Sequence, residues 1–324
     1  MATDSDRGPA AAGGDGPGPR VLVAGYNALD VTVAVAGMPA VDTKTQTPPI
    51  RLGGGGPAAN AAVALARLGA RVRLVTPLAD DLPGQQQRRE LAAAGVDLSL
   101  CPPAPGARSP LAVILVDAAA GTRTVLWSRG GLPELDPAAM EDSWLDDADL
   151  LLVDGHDALA TTRLALAARE RGRPVVLDAG SVRAGTDALV AACTDVVAAA
   201  AFGPSFCGRA RPREILTELR ARGPRRVAIT FGAGGALGLD DDGFVAVSSF
   251  AVPVVDTTGA GDAFHAGYAW ALARGAGFAA SLEWGAAVAA LECGGWGCRE
   301  TLPDAAAAGA LVANGIRRPL AIAE

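Results

Sequence analysis

Apolar and polar positions follow one another in two rhythms along this chain. Short apolar runs bounded by Gly, Pro or Asp predict strands. Longer stretches with apolar residues three and four apart predict helices. Residues 20–26 read as a buried strand with residues 25–30 at its carboxyl end, and 31–36 as a second strand. The polar stretch 39–51 carries Pro48 and Pro49 and reads as an edge strand or a lid. Four glycines, Gly53 to Gly56, precede Pro57, which suits the first turn of a helix that runs to about Leu68 and stops at Gly69. Further strands are expected at 71–77, 111–116, 122–127, 150–154, 174–178, 196–198 and 226–230. Helices are expected at 83–94, 137–144, 158–171, 185–192 and 213–221. The strands at 111–116 and 122–127 join through 118–121 as a hairpin. Residues 236–239 and 244–247 pair across Asp240-Asp241-Asp242-Gly243. Three helical patterns, 260–274, 279–292 and 304–313, close the chain.

Strands alternating with helices from 71 to 230 predict an α/β fold: a mostly parallel central sheet with helices on both faces. In such sheets ligands sit beyond the carboxyl ends of the strands. The unusual segments fall at such ends: 25–30, Asp154-Gly155-His156-Asp157, Thr230-Phe231-Gly232-Ala233-Gly234-Gly235, and Val255 to Phe264. The last is the most informative. In Gly259-Ala260-Gly261-Asp262 no side chain blocks the approach of an anion to backbone N–H groups where a helix begins, and a carboxylate stands in the first turn. Amides that hold charge beside a carboxylate that takes a proton are equipment for phosphoryl transfer to a hydroxyl. Alone, the segment reads as a capped helix; its convergence with the other strand ends favours a site.

Bulk composition narrows the class. The chain has 324 residues, half of them hydrophobic and 4% aromatic, so its core is Ala, Val and Leu. The net charge of −7 offers no basic patch for nucleic acid. No apolar run is long enough for a membrane span, and residues 1–19 lack the apolar stretch of a signal peptide and read as a disordered tail. Five scattered cysteines read as reduced thiols in a cytoplasm. Lys44 is the one lysine among 28 basic residues, which suggests a position where Arg does not serve. Only two histidines exist, so zinc is not expected. His265 reads as a packed helix residue, whereas His156, at a strand end, is a candidate to touch substrate. The Thr230 loop lacks a full dinucleotide fingerprint but could floor a nucleotide site. No P-loop and no Gly-x-Ser-x-Gly occur.

Four segments together resemble the ribokinase-like, or PfkB, carbohydrate kinases: 25–30, Gly55-Gly56-Pro57-Ala58-Ala59-Asn60, 230–235 and 256–262. The likeness spans roughly residues 20–315 and is nearest in look to the ketohexokinase and sulfofructose kinase branch. It implies phosphorylation of a small sugar by ATP with Mg²⁺, and often K⁺ as activator. It also implies a central α/β domain at 20–315, a small β lid from about 31–52 and 111–127, and a C-terminal tail at 316–324. By matching position, Asp262 is the base, and Gly259, Ala260 and Gly261 form the anion hole. Asp30, Gly55, Gly56 and Asn60 bind sugar hydroxyls, Thr230, Gly232 and Gly235 line the ATP site, and Asp256 helps bind a monovalent cation. Lys44 falls in the lid, and an exposed lid edge suggests a homodimer through the lids.

Two departures from the family pattern stand out. Where relatives carry an acidic segment that organises Mg²⁺ and phosphate, this chain has Ala199 and Ala200. Where the ketohexokinase and sulfofructose kinase branch has an arginine, it has His156, which cannot grip an anionic end bidentately. The expected acceptor is a ketose or related sugar. The alternatives are a nucleoside kinase, for which Tyr26 and Trp127 are the stacking candidates, and a non-catalytic sugar- or nucleotide-binding protein.

Overall fold

A computed structural model describes residues 18–117 and 122–322. The expected tail, up to residue 17, and the expected turn at 118–121 lie outside the described residues. An eight-stranded sheet forms the centre. From edge to edge its strands are Gly243–Val247, Ala236–Asp240, Arg226–Thr230, Asp195–Ala199, Val175–Ala179, Leu150–Asp154, Arg20–Ala24 and Arg71–Val75. The six from Arg226–Thr230 to Arg71–Val75 are parallel. The hairpin at 236–247 adds an antiparallel edge.

Both faces of the sheet are covered, so successive residues of one strand go to different cores. Val21 and Val23 face a layer built by the helices Pro57–Arg67, Ala260–Ala273 and Phe278–Glu292. Leu22 and Ala24 face the layer of Ala158–Glu170, Thr186–Ala192 and Pro212–Ala221. Small residues let the helices of the first layer approach closely. A Cβ on Gly267 would meet the Trp284 carbonyl oxygen at 2.7 Å, and one on Gly285 would meet that of Phe264 at 2.8 Å.

A second sheet of four strands stands over the carboxyl ends of the first. Its order is Arg51–Gly55, Ala28–Val35, Leu111–Asp117, Thr122–Ser128. Its inner face packs Ala112, Ile114 and Val116 against Trp296. Strand Arg51–Gly55 includes three of the four glycines. Pairing with Ala28–Thr32 supplies what glycine's weak strand propensity does not. Of the stretch 39–51, expected as an edge strand or lid, residues 39–50 are irregular and almost entirely exposed, and Arg51 opens the strand.

Three further expectations are corrected. The helix expected at 137–144 is two 3₁₀ turns, Pro137–Ala139 and Asp142–Leu145, because Met140 between them is extended. Between the strand expected at 196–198 and the helix expected at 213–221, where no element was expected, lies a short helix, Phe202–Cys207, anchored by the buried ring of Phe202 stacked on Phe206. The segment after Gly315, expected as a tail, is tied down: Ala251 N–H donates to the Ile316 carbonyl, Arg318 N–H to that of Ser249 and Ala321 N–H to that of Gly234.

One buried charge stitches sheet to helix. Asp195 is wholly buried, and its carboxylate accepts from Arg226 Nη2 at 3.0 Å, from Thr194 Oγ1 at 2.7 Å and from the Tyr268 hydroxyl. Replacing one partner of such a pair strands the other. Asp195→Ala is expected to lose about 3–5 kcal/mol of stability, read by urea unfolding.

Candidate active site

The site begins with a carboxylate that binds backbone. Asp154, at the end of a central strand, is buried. It accepts N–H bonds from Tyr26 at 2.8 Å, Ala58 at 3.1 Å and His156 at 2.9 Å. Burial pushes its pKa up to about 6 against the pull of those three donors. The Ala58 bond is made at the first turn of helix Pro57–Arg67, where free N–H groups and the helix dipole favour an anion. This bond sets Asn60, one turn inside, over the sheet.

Helix Ala260–Ala273 arrives from the far end of the sequence. Its N-cap, Gly259, has φ 91° and lies so close to the next loop that a Cβ would sit 2.7 Å from Cys298 Cβ. Only glycine meets both demands cheaply. The first turn then opens Gly259, Ala260 and Gly261 toward a cleft, with Asp262 beside them. Asp262 Oδ2 accepts from Asn60 Nδ2 at 2.7 Å, across 202 positions of sequence. Burial, and then the nearby Asp178 carboxyl, push Asp262 up to about 7. Asp178, buried without a facing cation of fixed charge, is itself pushed up to about 8. His265 stands behind the same turn. Its Nδ1 lies 2.6 Å from the Gly261 carbonyl and 3.2 Å from Asp178 Oδ2, and its Nε2 lies 2.9 Å from the Val197 carbonyl. It is the packed residue expected.

On the other side of Asn60 stand Asp30, Gly55 and Arg299. Arg299 Nε donates to Asn60 Oδ1 at 2.8 Å, and Nη2 donates to the Gly55 carbonyl at 3.1 Å. Asp30 is buried against Gly55, where a Cβ would meet its carboxylate at 2.1 Å. Burial pushes Asp30 up to about 6, while Arg299 and the Cys298 thiol, 3.7 Å away, pull it down.

A cavity of about 190 Å³ runs from Thr230, Gly232 and Gly235 to Ala260 and Gly261, walled by Phe250, Val252 and Phe264 and edged by Arg318. The glycine loop and the helix N-terminus therefore share one mostly apolar cleft, suited to a flat aromatic group at one end and an anion at the other.

The sequence profile of the pfkB family carbohydrate kinases matches residues 19–305. The chain belongs to the pfkB carbohydrate kinase family. It is a phosphotransferase with an alcohol acceptor, and its nucleotide is ATP with Mg²⁺. Among relatives of this pfkB kinase, an ATP-dependent ribose-1-phosphate kinase of Halopiger xanaduensis is 32% identical, covering 89% of this chain and 97% of its own. A ribokinase of Bacillus subtilis is 28% identical, covering 87% and 96%. A solved candidate ribokinase from Agrobacterium tumefaciens superposes with a TM-score of 0.86 at 29% identity, covering 91% and 98%.

The pfkB fold brings Asp262, Gly259, Ala260, Gly261, Asn60, Asp30, Gly55 and Gly56 to one place, with Thr230, Gly232 and Gly235 along the adjoining cleft. Asp256 is buried next to Thr257, which lines that cleft, and its carboxylate accepts from Thr258 N, Thr258 Oγ1 and Gly297 N at 3.0, 2.8 and 3.0 Å. Two further expected residues have other surroundings. Lys44 is exposed in the irregular 36–50 segment and has no hydrogen bond or ion pair among the described residues. His156 is packed: its ring stacks on Tyr26 at 4.2 Å between centroids, and its Nε2 lies 3.1 Å from Arg183 Nη2. Burial, then Arg183 and Arg129, push its pKa down to about 3, so it is neutral. Trp127 meets both rings edge-on at 6.0 Å. Ala199 ends its strand without a carboxylate, as the sequence indicates.

Sequence reasoning missed Arg299, Cys298 and Glu292. Glu292 is buried in helix Phe278–Glu292 with both carboxyl oxygens unpartnered, and burial, Asp262 and Asp256 push it up to about 9. The one available signal was a charged residue inside the glycine-rich turn Gly294-Gly295-Trp296-Gly297-Cys298-Arg299. Gly259→Ala is expected to cost about 1–2 kcal/mol from the left-handed backbone alone, to lower the melting temperature, and to abolish most ATP-dependent turnover.

Proposed function

We propose that this pfkB kinase transfers the γ-phosphoryl group of ATP to a primary hydroxyl of a small sugar, a ketose or a related pentose, with Asp262 as the general base. The observation that carries this reading is the Asn60–Asp262 hydrogen bond, which joins the proposed sugar-binding helix to the proposed base at the mouth of the nucleotide cleft. Asp30, Asn60 and the backbone at Gly55 and Gly56 hold the sugar hydroxyls. Asp262 Oδ1, which has no protein hydrogen bond among the described residues, takes the proton of the attacking hydroxyl. The N–H groups of Gly259, Ala260 and Gly261 receive the transferring phosphoryl oxygens. Thr230, Gly232 and Gly235 line the nucleotide end. Mg²⁺, when bound with ATP, would supply neutralising charge at the phosphates. Phosphoryl transfer asks the protein mainly for alignment and charge, and this geometry supplies both.

Asp256 and the unpartnered Glu292 carboxyl are the residues that would hold a monovalent cation such as K⁺, which would give Glu292 the counter-charge it lacks. Strand Thr122–Ser128 is exposed along its whole length, with Leu126 and Trp127 each about half exposed or more. This supports a homodimer through the lids. A nucleoside acceptor is the second reading. The edge-on packing of Trp127 around Tyr26 and His156 favours it, since a base could stack there. The relatives include both kinds of kinase: a fructokinase of Rhizobium leguminosarum and a nucleoside kinase of Methanothermobacter thermautotrophicus.

ADP release is measured with MgATP against ribose, deoxyribose, ribose 1-phosphate, fructose and adenosine, with and without K⁺. Turnover with a sugar supports the proposal. Turnover only with adenosine transfers it to the second reading, and ligand-induced thermal shifts without ADP indicate a binding protein. Asp262→Asn is expected to lower kcat by at least about 10²-fold, while sugar binding by calorimetry stays close to wild type; near-normal turnover in that variant would sink the mechanism. The base must be ionised to accept a proton. Because Asp262 is pushed up to about 7, kcat/KM is expected to rise with pH through neutrality and to fall on the acid side. A profile flat between pH 6 and 8, given as about one unit either side, contradicts the assignment.

A further inference from the structure

We infer that Arg299 is a positioning residue that fixes the orientation of the Asn60 amide and, through it, decides which oxygen of Asp262 is free to take a proton. The inference rests on Asp262 as the base. Three observations support it. Arg299 joins two elements at once, Nε on Asn60 Oδ1 at 2.8 Å and Nη2 on the Gly55 carbonyl at 3.1 Å. Its side chain is only 12% exposed, and its nearest carboxylate, Glu90 Oε2, is 3.9 Å from Nη1. Nη1 itself has no hydrogen bond among the described residues. A buried guanidinium with one donor unmatched among the described residues and its nearest carboxylate at 3.9 Å is a poor stabilising device, because the desolvation of the charge is not matched by a tight ion pair. Gly54 completes the cradle: a Cβ there would sit 1.9 Å from Arg299 Nη1.

The chemistry follows from donors and acceptors. An Asn amide has one accepting oxygen and one donating nitrogen. With Arg299, which only donates, on one side and the Asp262 carboxylate, which only accepts when ionised, on the other, one orientation satisfies both. The flipped amide would set donor against donor and acceptor against acceptor. Arg299 therefore commits Asn60 Nδ2 to Asp262 Oδ2 and leaves Oδ1 facing the acceptor hydroxyl. The same guanidinium pulls down the pKa of Asp30, keeping it able to accept from sugar hydroxyls. Charged groups facing Arg299 are Asp30, Asp262 and Glu90, from the second sheet, helix Ala260–Ala273 and helix Leu82–Ala93 respectively, together with the neighbouring Cys298 thiol. A lysine at 299 would keep the charge but not the two-pronged fork.

The test is a double-mutant cycle on Arg299→Gln and Asn60→Ala. It uses MgATP and whichever panel sugar gives the highest turnover. Arg299→Gln is expected to lower kcat about tenfold or more, the loss of roughly one aligned contact, with the KM for ATP unchanged. In the Asn60→Ala background the same substitution is expected to have little further effect on kcat. Arg299→Lys is expected to recover part of the pH profile but little of kcat. The acid limb of kcat/KM is expected to move to higher pH in Arg299→Gln, since a cation that favours the ionised carboxylates is gone; a purely structural role would not move it. Gly54→Ala, which displaces the guanidinium without touching its chemistry, is expected to repeat the kcat loss and serves if Arg299→Gln does not fold. Additive losses in the cycle, or a normal kcat in Arg299→Gln, overturn the inference. Asp262→Asn, run alongside, separates the two readings: if it remains active the base assignment falls, and if it is inactive while the cycle is additive only the role of Arg299 falls.

Discussion

A single buried carboxylate, Asp154, determines where everything else at the site can go. It ends a strand in the middle of the large sheet, where water cannot solvate it, so its charge must be met by the chain. Three backbone N–H groups meet it, from the strand-end turn at Tyr26, from the start of helix Pro57–Arg67 and from its own turn at His156. Those bonds fix the second sheet and the Asn60 helix relative to the first sheet. Gly25 is required beside it, since a Cβ there would lie 2.4 Å from the carboxylate. An unmet buried charge is costly enough that this knot ranks above any surface contact.

From that knot the site is assembled by segments remote in sequence. Asp30 and Gly55 come with the second sheet, Asn60 with the first helix, Asp262 with a helix two hundred positions later, and Arg299 with the turn after the following helix. Few of these residues contribute to the apolar core. Their arrangement is a network in which each polar group is oriented by the next, and such networks keep their geometry only while every member is present. The nucleotide end is built differently, from glycines and apolar walls, where shape rather than hydrogen bonding sets the fit.

Much of this was legible in the sequence. Buried strands such as Leu150–Asp154 announce themselves by continuous apolar runs, and the Gly259–Asp262 turn by its lack of side chains before a carboxylate. What sequence could not show is where tertiary pairing overrides local preference. Gly53 to Gly55 have poor strand propensity and are a strand, because Ala28–Thr32 pairs with Arg51–Gly55. The Phe202–Cys207 helix contains Gly and Pro and exists because Phe202 needs burial. His156 was legible as a strand-end residue; the stack of its ring on Tyr26 is not visible in local sequence. Lys44 was singled out by composition, and it stands exposed between strands Ala28–Val35 and Arg51–Gly55. Arg299 was hidden for the opposite reason: among so many arginines nothing marked the one that is buried.

Residues 316–321 run beside 249–251, and Arg318 forms part of the rim of the nucleotide cleft. Backbone hydrogen bonds at Ala251, Arg318 and Ala321 tie this wall to its neighbours. The seat of the nucleotide thus leans on a few local bonds outside the large sheet, so loosening them would slacken the cleft while the sheet keeps its form.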